Sequence, residues 1–372
     1  MRYPQFLSPG GRIGFIAPSF GCSMEPYRSA FAAALKHFQS LGYRTVTGPN
    51  CYADRGVGKS NTPEACGAEI NDFFLNDRAD VIISCGGGET MCEDLPYADL
   101  SAIAAAKPHW YMGYSDNTNL TFILPTVCDT AAVYGPCASS FGMQPLHPSL
   151  EDAFAVLTGE KTVFTNYSGW EKESLRDEEH PCVPYQITEP YGMSVAGGGA
   201  AHFRGRLIGG CLDCLVTLCG TRFDRAADFA ERYKEDGIVW FLEACDLNPM
   251  SMRRALWQLR EAGWFRHAAG FIFGRPMHFG ETFMGMGFDD AATEVLGSLN
   301  VPILLNADLG HLPPMMPLIV GSYASVEVSG NDMEIRMSFE RSIPCLSEAN
   351  KRCKSLWKSI IWSILWTFCV RS

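Results

Sequence analysis

The first 140 residues alternate short β-rich runs with longer helical patterns, and this alternation is what most limits how the chain can fold. Arg12–Ala17, Tyr43–Val46, Asp80–Ser84, His109–Tyr114 and Ala131–Tyr134 read as strands. Met24–Leu41 and Thr62–Leu75 read as helices, the second with Thr62 as N-cap and Pro63 in its first turn. A further helix follows a polar cap after Tyr114. Strands joined by helices cannot pair through tight hairpins, so the pattern demands a parallel sheet covered on both faces.

Residues 144–204 break the rhythm with Pro, Gly and charge, and read as a linker with an extended loop. A second alternating block follows. It comprises strand Gly205–Gly210, helix Cys211–Gly220, strand Gly237–Leu242, helix Pro249–Ala262, strand Gly270–Phe273, helix Asp289–Leu299 and strand Pro302–Asn306. The alternating runs Leu318–Val328 and Met333–Phe339 read as antiparallel strands closing a sheet. The expected fold is therefore α/β in two domains. A parallel-sheet, Rossmann or flavodoxin-like domain spans 1–143, and an α/β domain with a mixed sheet spans 205–340, with chemistry in the cleft between them.

Charge narrows the class of partner. The chain of 372 residues carries 30 Lys and Arg against 41 Asp and Glu. Its last 32 residues hold six basic residues and one acid, leaving 24 basic against 40 acidic in the first 340. Such an acidic body argues against nucleic acid as partner, because phosphate neutralisation needs a basic surface. The tail 341–372 is basic and holds Trp357, Trp362 and Trp366. Its uncharged stretch is too short to span a bilayer, leaving an interfacial helix, a dimer-packing helix or a sequence with little bearing on the fold. Fifteen cysteines, many inside apolar runs, and an opening segment without an apolar signal core point to a reduced, cytoplasmic setting.

The richest stretch for chemistry is Trp110-Tyr-Met-Gly-Tyr-Ser-Asp-Asn117. Here an apolar strand gives way to a helix at Ser115, in a pattern close to a nucleophile elbow but with Asn117 where a second Gly is usual. The same residues suit a plain helix cap. If Ser115 is a nucleophile, the amide of Asp116 can stabilise an oxyanion, and Gly86-Gly87-Gly88 after the third strand can supply a second donor from Gly87 or Gly88. A serine nucleophile needs a base and a group to orient it. His311, in Asp308-Leu-Gly-His-Leu-Pro-Pro314, follows a strand end, with His278 as the other candidate. Glu243 closes the apolar run Ile238–Leu242, where a carboxylate is costly unless paired; Asp246 is its alternative.

Taken together, Met112-Gly-Tyr-Ser-Asp116, the glycine turn at 86–88, Gly205-Arg-Leu-Ile-Gly-Gly210, Leu242-Glu243, Arg253-Arg-Ala-Leu-Trp-Gln-Leu259 and Asp308-Leu-Gly-His311 resemble the LD-carboxypeptidase family of serine peptidases. That family includes muramoyl-tetrapeptide carboxypeptidases and microcin C immunity proteins. The resemblance spans roughly residues 10–340 and leaves out the tail. It implies a triad of Ser115, Glu243 and His311, an N-terminal nucleophile domain, a C-terminal domain bearing acid and base, no cofactor or metal, and commonly a homodimer. The implied reaction is hydrolysis of an amide next to a carboxylate-bearing terminal residue through an acyl-enzyme. The substrate is a murein peptide in one branch and a peptidyl or aminoacyl nucleotide in the other. Cys211 and Cys214 stand where the family more often has Asn and small or apolar residues. The segment 167–199 is long, as in the immunity branch, and Trp170 there offers a face for stacking a base or for packing a loop. Arg275 is a candidate for reading the substrate carboxylate.

Other classes remain in view. A two-lobed protein that binds a small ligand without turning it over would share the fold. A nucleotide-dependent oxidoreductase is disfavoured because Thr90 and Met91 fall where a dinucleotide fingerprint closes. A metal hydrolase lacks H-E-x-x-H, and the single Cys-x-x-Cys, Cys211 to Cys214, has no second pair at zinc spacing.

Overall fold

In a computed structural model that describes residues 1–56 and 58–340, the N-terminal half follows the β/α alternation. In chain order come β1 (Arg12–Ile16), α1 (Tyr27–Ser40), β2 (Arg44–Thr47), α2 (Pro63–Leu75), β3 (Val81–Ser84), α3 (Leu100–Ala105), β4 (Trp110–Gly113), α4 (Thr118–Val127) and β5 (Ala132–Tyr134). The Thr62 side chain caps α2 by accepting the Ala65 N–H at 3.3 Å, with Pro63 at the first helical position. Helix α1 starts at Tyr27 and not Met24, because Pro26 disfavours helical backbone at the residue before it. The expectations for the tail fall on 341–372, outside the described residues.

These strands form a six-stranded sheet in the order β14, β5, β4, β3, β1, β2, where β14 is Leu318–Val320 from far along the chain. β1 to β5 are all parallel, in the doubly wound order 2-1-3-4-5, and β14 joins β5 antiparallel. The run read as one strand over 318–328 thus breaks at Gly321-Ser322. Leu318–Val320 caps the first sheet, and β15 (Tyr323–Ser329) enters the second. The central strands β3 and β4 are buried throughout, as strands covered on both faces must be. Each fully buried Val, Ile or Met there contributes roughly 1.5–3 kcal/mol.

Between the halves lie α5 (Pro148–Thr158), β6 (Val163–Thr165), β7 (Gly169–Trp170), β8 (Glu189–Pro190) and β9 (Ser194–Val195). The stretch read as linker therefore holds ordered elements. α5 buries Leu150, Ala153, Val156 and Leu157, a one-faced helical spacing. The C-terminal half continues with β10 (Ala201–Cys211), α6 (Leu212–Leu218), α7 (Ala226–Arg232), β11 (Ile238–Glu243), α8 (Pro249–Glu261), β12 (Ala268–Gly274), α9 (Phe288–Leu296), β13 (Ile303–Ala307), β14, β15 and β16 (Asp332–Ser338). Its eight-stranded sheet runs β6, β16, β15, β10, β11, β12, β13, β9. β10 to β13 are parallel, while β15 and β9 flank them antiparallel, so the sheet is mixed. Both sheets belong to one compact body, Met1–Met337. α4 is buried from Thr118 to Thr126, as befits a helix packed on several sides.

Candidate active site

Ser115 stands where β4 turns into α4. Its φ is +60°, a left-handed conformation that costs a non-glycine residue free energy and recurs where a side chain must be thrust out of a turn. Neighbours hold the turn in place. Asn117, in the position where an elbow normally has glycine, donates from Nδ2 to the carbonyls of Gly86 (2.8 Å) and Tyr114 (3.0 Å) and accepts from the Tyr111 hydroxyl at 2.5 Å. It ties the serine turn to the glycine turn. The carboxylate of Asp116 accepts from the Ser19 hydroxyl, from the Met91 N–H at 2.9 Å and from Asn119 Nδ2 at 3.0 Å. Burial pushes this carboxyl above its ordinary range, although those hydrogen bonds favour the charged form.

His311 Nε2 lies 2.9 Å from Ser115 Oγ, and its Nδ1 lies 2.8 Å from Glu243 Oε2. A carboxylate facing Nδ1 accepts a hydrogen bond from Nδ1–H, which leaves Nε2 as the acceptor toward the hydroxyl in the neutral ring. Glu243 ends β11 and is 1% exposed. Burial alone would raise its pKa, but the charge of His311 and hydrogen bonds from His311, Tyr134 and Cys211 bring it below the ordinary value. Burial alone would lower His311. The charge of Glu243 and hydrogen bonds to Cys245 and Glu243 outweigh that and hold the imidazole well above its ordinary value. Gly310 has φ +92°, and a Cβ there would stand 2.8 Å from Glu243 Oε2, so only glycine lets the histidine turn approach the acid.

Gly87 borders the nucleophile directly. A Cβ at this position would lie 3.3 Å from both Cβ and Oγ of Ser115, in the space a reacting carbonyl needs. Its carbonyl accepts the Phe20 N–H at 2.8 Å, which turns the Gly88 N–H, on the same peptide plane, to the opposite side. The three strand-end candidates and the glycine turn thus gather at one point, at the carboxyl ends of β3, β4 and β11 and just beyond β13.

Other candidates lie elsewhere. His278 Nδ1 faces Glu281 on the surface at 3.2 Å. Asp246 is exposed, and its N–H donates to Asp213 at 2.9 Å. Arg275 and Trp170 engage each other: the guanidinium sits 5.3 Å from the centre of the indole ring, with the two residues 1% and 4% exposed. Arg275 also pairs with the buried Asp308 at 2.6 Å, three residues before His311. Arg275 thus lies beside the chain segment that leads to His311, and both side chains are buried. Sequence reading missed Tyr134, whose hydroxyl donates to Glu243 Oε1 at 2.7 Å and lies 3.4 Å from the Ser115 nitrogen. Its place at the end of β5, level with the other strand ends, was the available signal. Ser19, three residues past the end of β1, was missed as well.

A cavity of ≈160 Å³ opens beside Ser115, with Gly88, Glu89, Asp116, Asn119, Asp213 and Asp246 among its walls. A wider groove of ≈740 Å³ lies against β6, β10, β15 and β16, and none of Ser115, Glu243 and His311 lines it. Among the described residues, no group of three or more His, Cys, Asp or Glu side chains is placed to hold a metal ion, and no helix is long and apolar enough to cross a membrane.

Two α/β sheets bearing a hydroxyl, an imidazole and a carboxylate in one hydrogen-bonded chain define the class: a serine hydrolase. The chain belongs to the LD-carboxypeptidase family, whose N-terminal domain matches residues 13–135 and whose C-terminal domain matches residues 204–326. It is similar to the microcin C7 self-immunity protein MccF of Escherichia coli, 24% identical over 336 residues that cover 88% of this chain and 94% of that protein. Its fold matches MccF solved in complex with aspartyl sulfamoyl adenosine (TM-score 0.76, 23% identity, 92% of this chain and 100% of that one). A MccF-like protein of Bacillus anthracis matches as well (TM-score 0.77, 21% identity, 91% and 100%).

Proposed function

We propose that Ser115, His311 and Glu243 act as nucleophile, general base and orienting acid in a serine carboxypeptidase. It would cleave the amide next to a carboxylate-bearing terminal residue, with murein peptides as the favoured substrates. The observation that carries this reading is the unbroken chain from Ser115 Oγ through both nitrogens of His311 to Glu243. His311 takes the serine proton as Oγ attacks the carbonyl. The amides of Asp116 and of Gly87 or Gly88 receive the developing oxyanion. His311 then passes its proton to the leaving amine, giving an acyl-enzyme, and water activated by the same ring releases the acid.

A second reading is favoured by the full-length likeness to MccF, one of whose structures holds an aminoacyl sulfamoyl nucleotide. In it, the same machinery cleaves an aminoacyl or peptidyl group from a nucleotide. Against it, Trp170 is already stacked on Arg275 and so is not free for a base. Incubation with a murein tetrapeptide and with an aminoacyl sulfamoyl-adenosine, followed by mass analysis, tests both. Release of terminal D-alanine, absent in Ser115→Ala, supports the first reading. Turnover of the nucleotide conjugate alone supports the second, and turnover of neither sinks both.

A further inference from the structure

β10 and β11 run parallel and end level, with Cys211 beside Glu243 in the register. There the two chains part. One enters α6, whose first turn holds Asp213, and the other forms the loop of residues 244–248 that leads into α8. Asp213 bridges the gap between them. Its Oδ2 accepts the Cys245 N–H at 3.0 Å, and its Oδ1 accepts the N–H groups of Asp246 at 2.9 Å and Leu247 at 3.1 Å. Three successive amides converging on one carboxylate form an anion nest, and bonds to a charged acceptor are roughly twice as strong as neutral ones.

The residues held in this way are the second, third and fourth after the acid of the triad. Cys245 also faces the base, because its thiol is hydrogen-bonded with His311. The same turn of α6 reaches the nucleophile on its other side. The Cys211 N–H donates to Thr118 Oγ1 at 3.0 Å, at the start of α4, and the Cys214 thiol lies 3.6 Å from the Ser115 carbonyl oxygen. The first turn of α6 is therefore the joint between the turn that bears Ser115 and the segment that bears Glu243. Asp213 is its link on the acid's side. Both carboxylate oxygens are engaged by amides, so their partner is the loop, although Asp213 also borders the cavity beside Ser115.

We propose that Asp213 is a positioning residue of the triad: by holding the amides of residues 245–247 it fixes Glu243 and Cys245, and through them the imidazole of His311, against Ser115. The inference rests on the reading of Ser115, His311 and Glu243 as nucleophile, base and acid.

Asp213→Ala leaves three amides without their acceptor and frees the loop. On whichever of the two substrates above is turned over, kcat should fall about 10- to 100-fold with KM little changed. A rise in KM alone would make Asp213 a substrate contact and overturn the proposal. A double-mutant cycle with Glu243→Gln, read as kcat per folded molecule, separates positioning from a general loss of structure. If Asp213 acts through the acid, its removal should lower kcat by less than about threefold once Glu243 has been replaced. The full loss in both backgrounds would show that Asp213 acts independently of the triad, which overturns the proposal. Asp213→Asn, which keeps the volume and one acceptor oxygen, takes the place of the alanine variant if that one does not fold. Should the parent cleave neither substrate, or Glu243→Gln leave turnover intact, the triad reading falls, and the Nδ1 proton of His311 decides the role of Asp213 alone. Its NMR resonance, identified by its absence from His311→Gln, should shift in the folded Asp213 variant. An unchanged resonance overturns the proposal.

Discussion

Tyr134 and Glu243 meet hydroxyl to carboxylate at 2.7 Å, on the oxygen that His311 leaves free. Each oxygen of this buried acid thus has its own donor, which fixes its plane and with it the tilt of the imidazole. Tyr134→Phe removes one donor from a desolvated charge, at a cost of about 1–3 kcal/mol. The expected result is a fall in kcat of roughly tenfold and a melting temperature lower by a few degrees, with KM little changed. Steady-state kinetics and a thermal melt check both; a pure KM effect would show that Tyr134 does not orient the acid.

Ser115→Ala should lower turnover by about 10⁴-fold or more while the chain stays folded. Because Ser115 holds φ +60°, Ser115→Gly should be equally inactive yet melt higher than Ser115→Ala, since glycine adopts that conformation without strain. Equal melting of the two variants would remove backbone strain from the account.

The pH dependence follows from the ion pair. Glu243 holds His311 well above its ordinary value, so kcat/KM should rise as pH increases through that elevated value and the ring becomes a free base. Glu243→Gln removes the charge that raises the imidazole and leaves burial, which lowers it. The acidic limb of the profile should therefore move to lower pH even as kcat falls. A limb that stays in place would assign it to another group.

Stability should respond to pH through buried acids outside the triad. Asp94, 3% exposed, is pushed up to about 8 chiefly by burial, opposed by Lys59 and reinforced by Asp116 and Glu93; burial likewise raises Glu69 to about 7. A carboxyl whose pKa is raised by folding binds more protons folded than unfolded. Its contribution is full below about pH 4 and lost as pH climbs toward 7–8. Asp94→Asn should thus melt about 2–6 °C above the parent at pH 8.5 and close to it at pH 4.5. A melting difference that does not change with pH would refute this.

Arg275→Ala leaves Asp308 buried without its cation, a loss of about 3–5 kcal/mol for such pairs. If Arg275 braces the turn that bears His311, the folded variant should lose kcat for every substrate alike. Were it to read the substrate carboxylate, KM would rise only for substrates that have one. Kinetics on acid and amide forms of one peptide separate the two.

Most of the site's components can be read from the sequence because they sit at strand ends, and strand ends are local events. Ile238–Leu242 is apolar throughout and stops at a carboxylate; Trp110–Gly113 stops before a serine and a helix; Thr62 and Pro63 announce α2. Periodicity, capping and turn chemistry act over a few residues, so they identified Ser115, Glu243, His311 and the glycine turn as candidates. α5 carried the same kind of signal, hidden by the Pro-rich stretch in front of it.

What local pattern cannot carry is which distant strand ends meet. Ser115 reaches His311 across 196 positions and Tyr134 reaches Glu243 across 109. Those meetings depend on the order of strands in two sheets and on the packing around α4. The same holds for the break that sends Leu318–Val320 to one sheet and Tyr323–Ser329 to the other, and for the stacking of Arg275 on Trp170. Sequence alone determined which side chains stand at the mouths of strands, because backbone geometry repeats every few residues. Only the tertiary structure decided which of them share a hydrogen bond, because that is settled by burying apolar faces far apart in the chain.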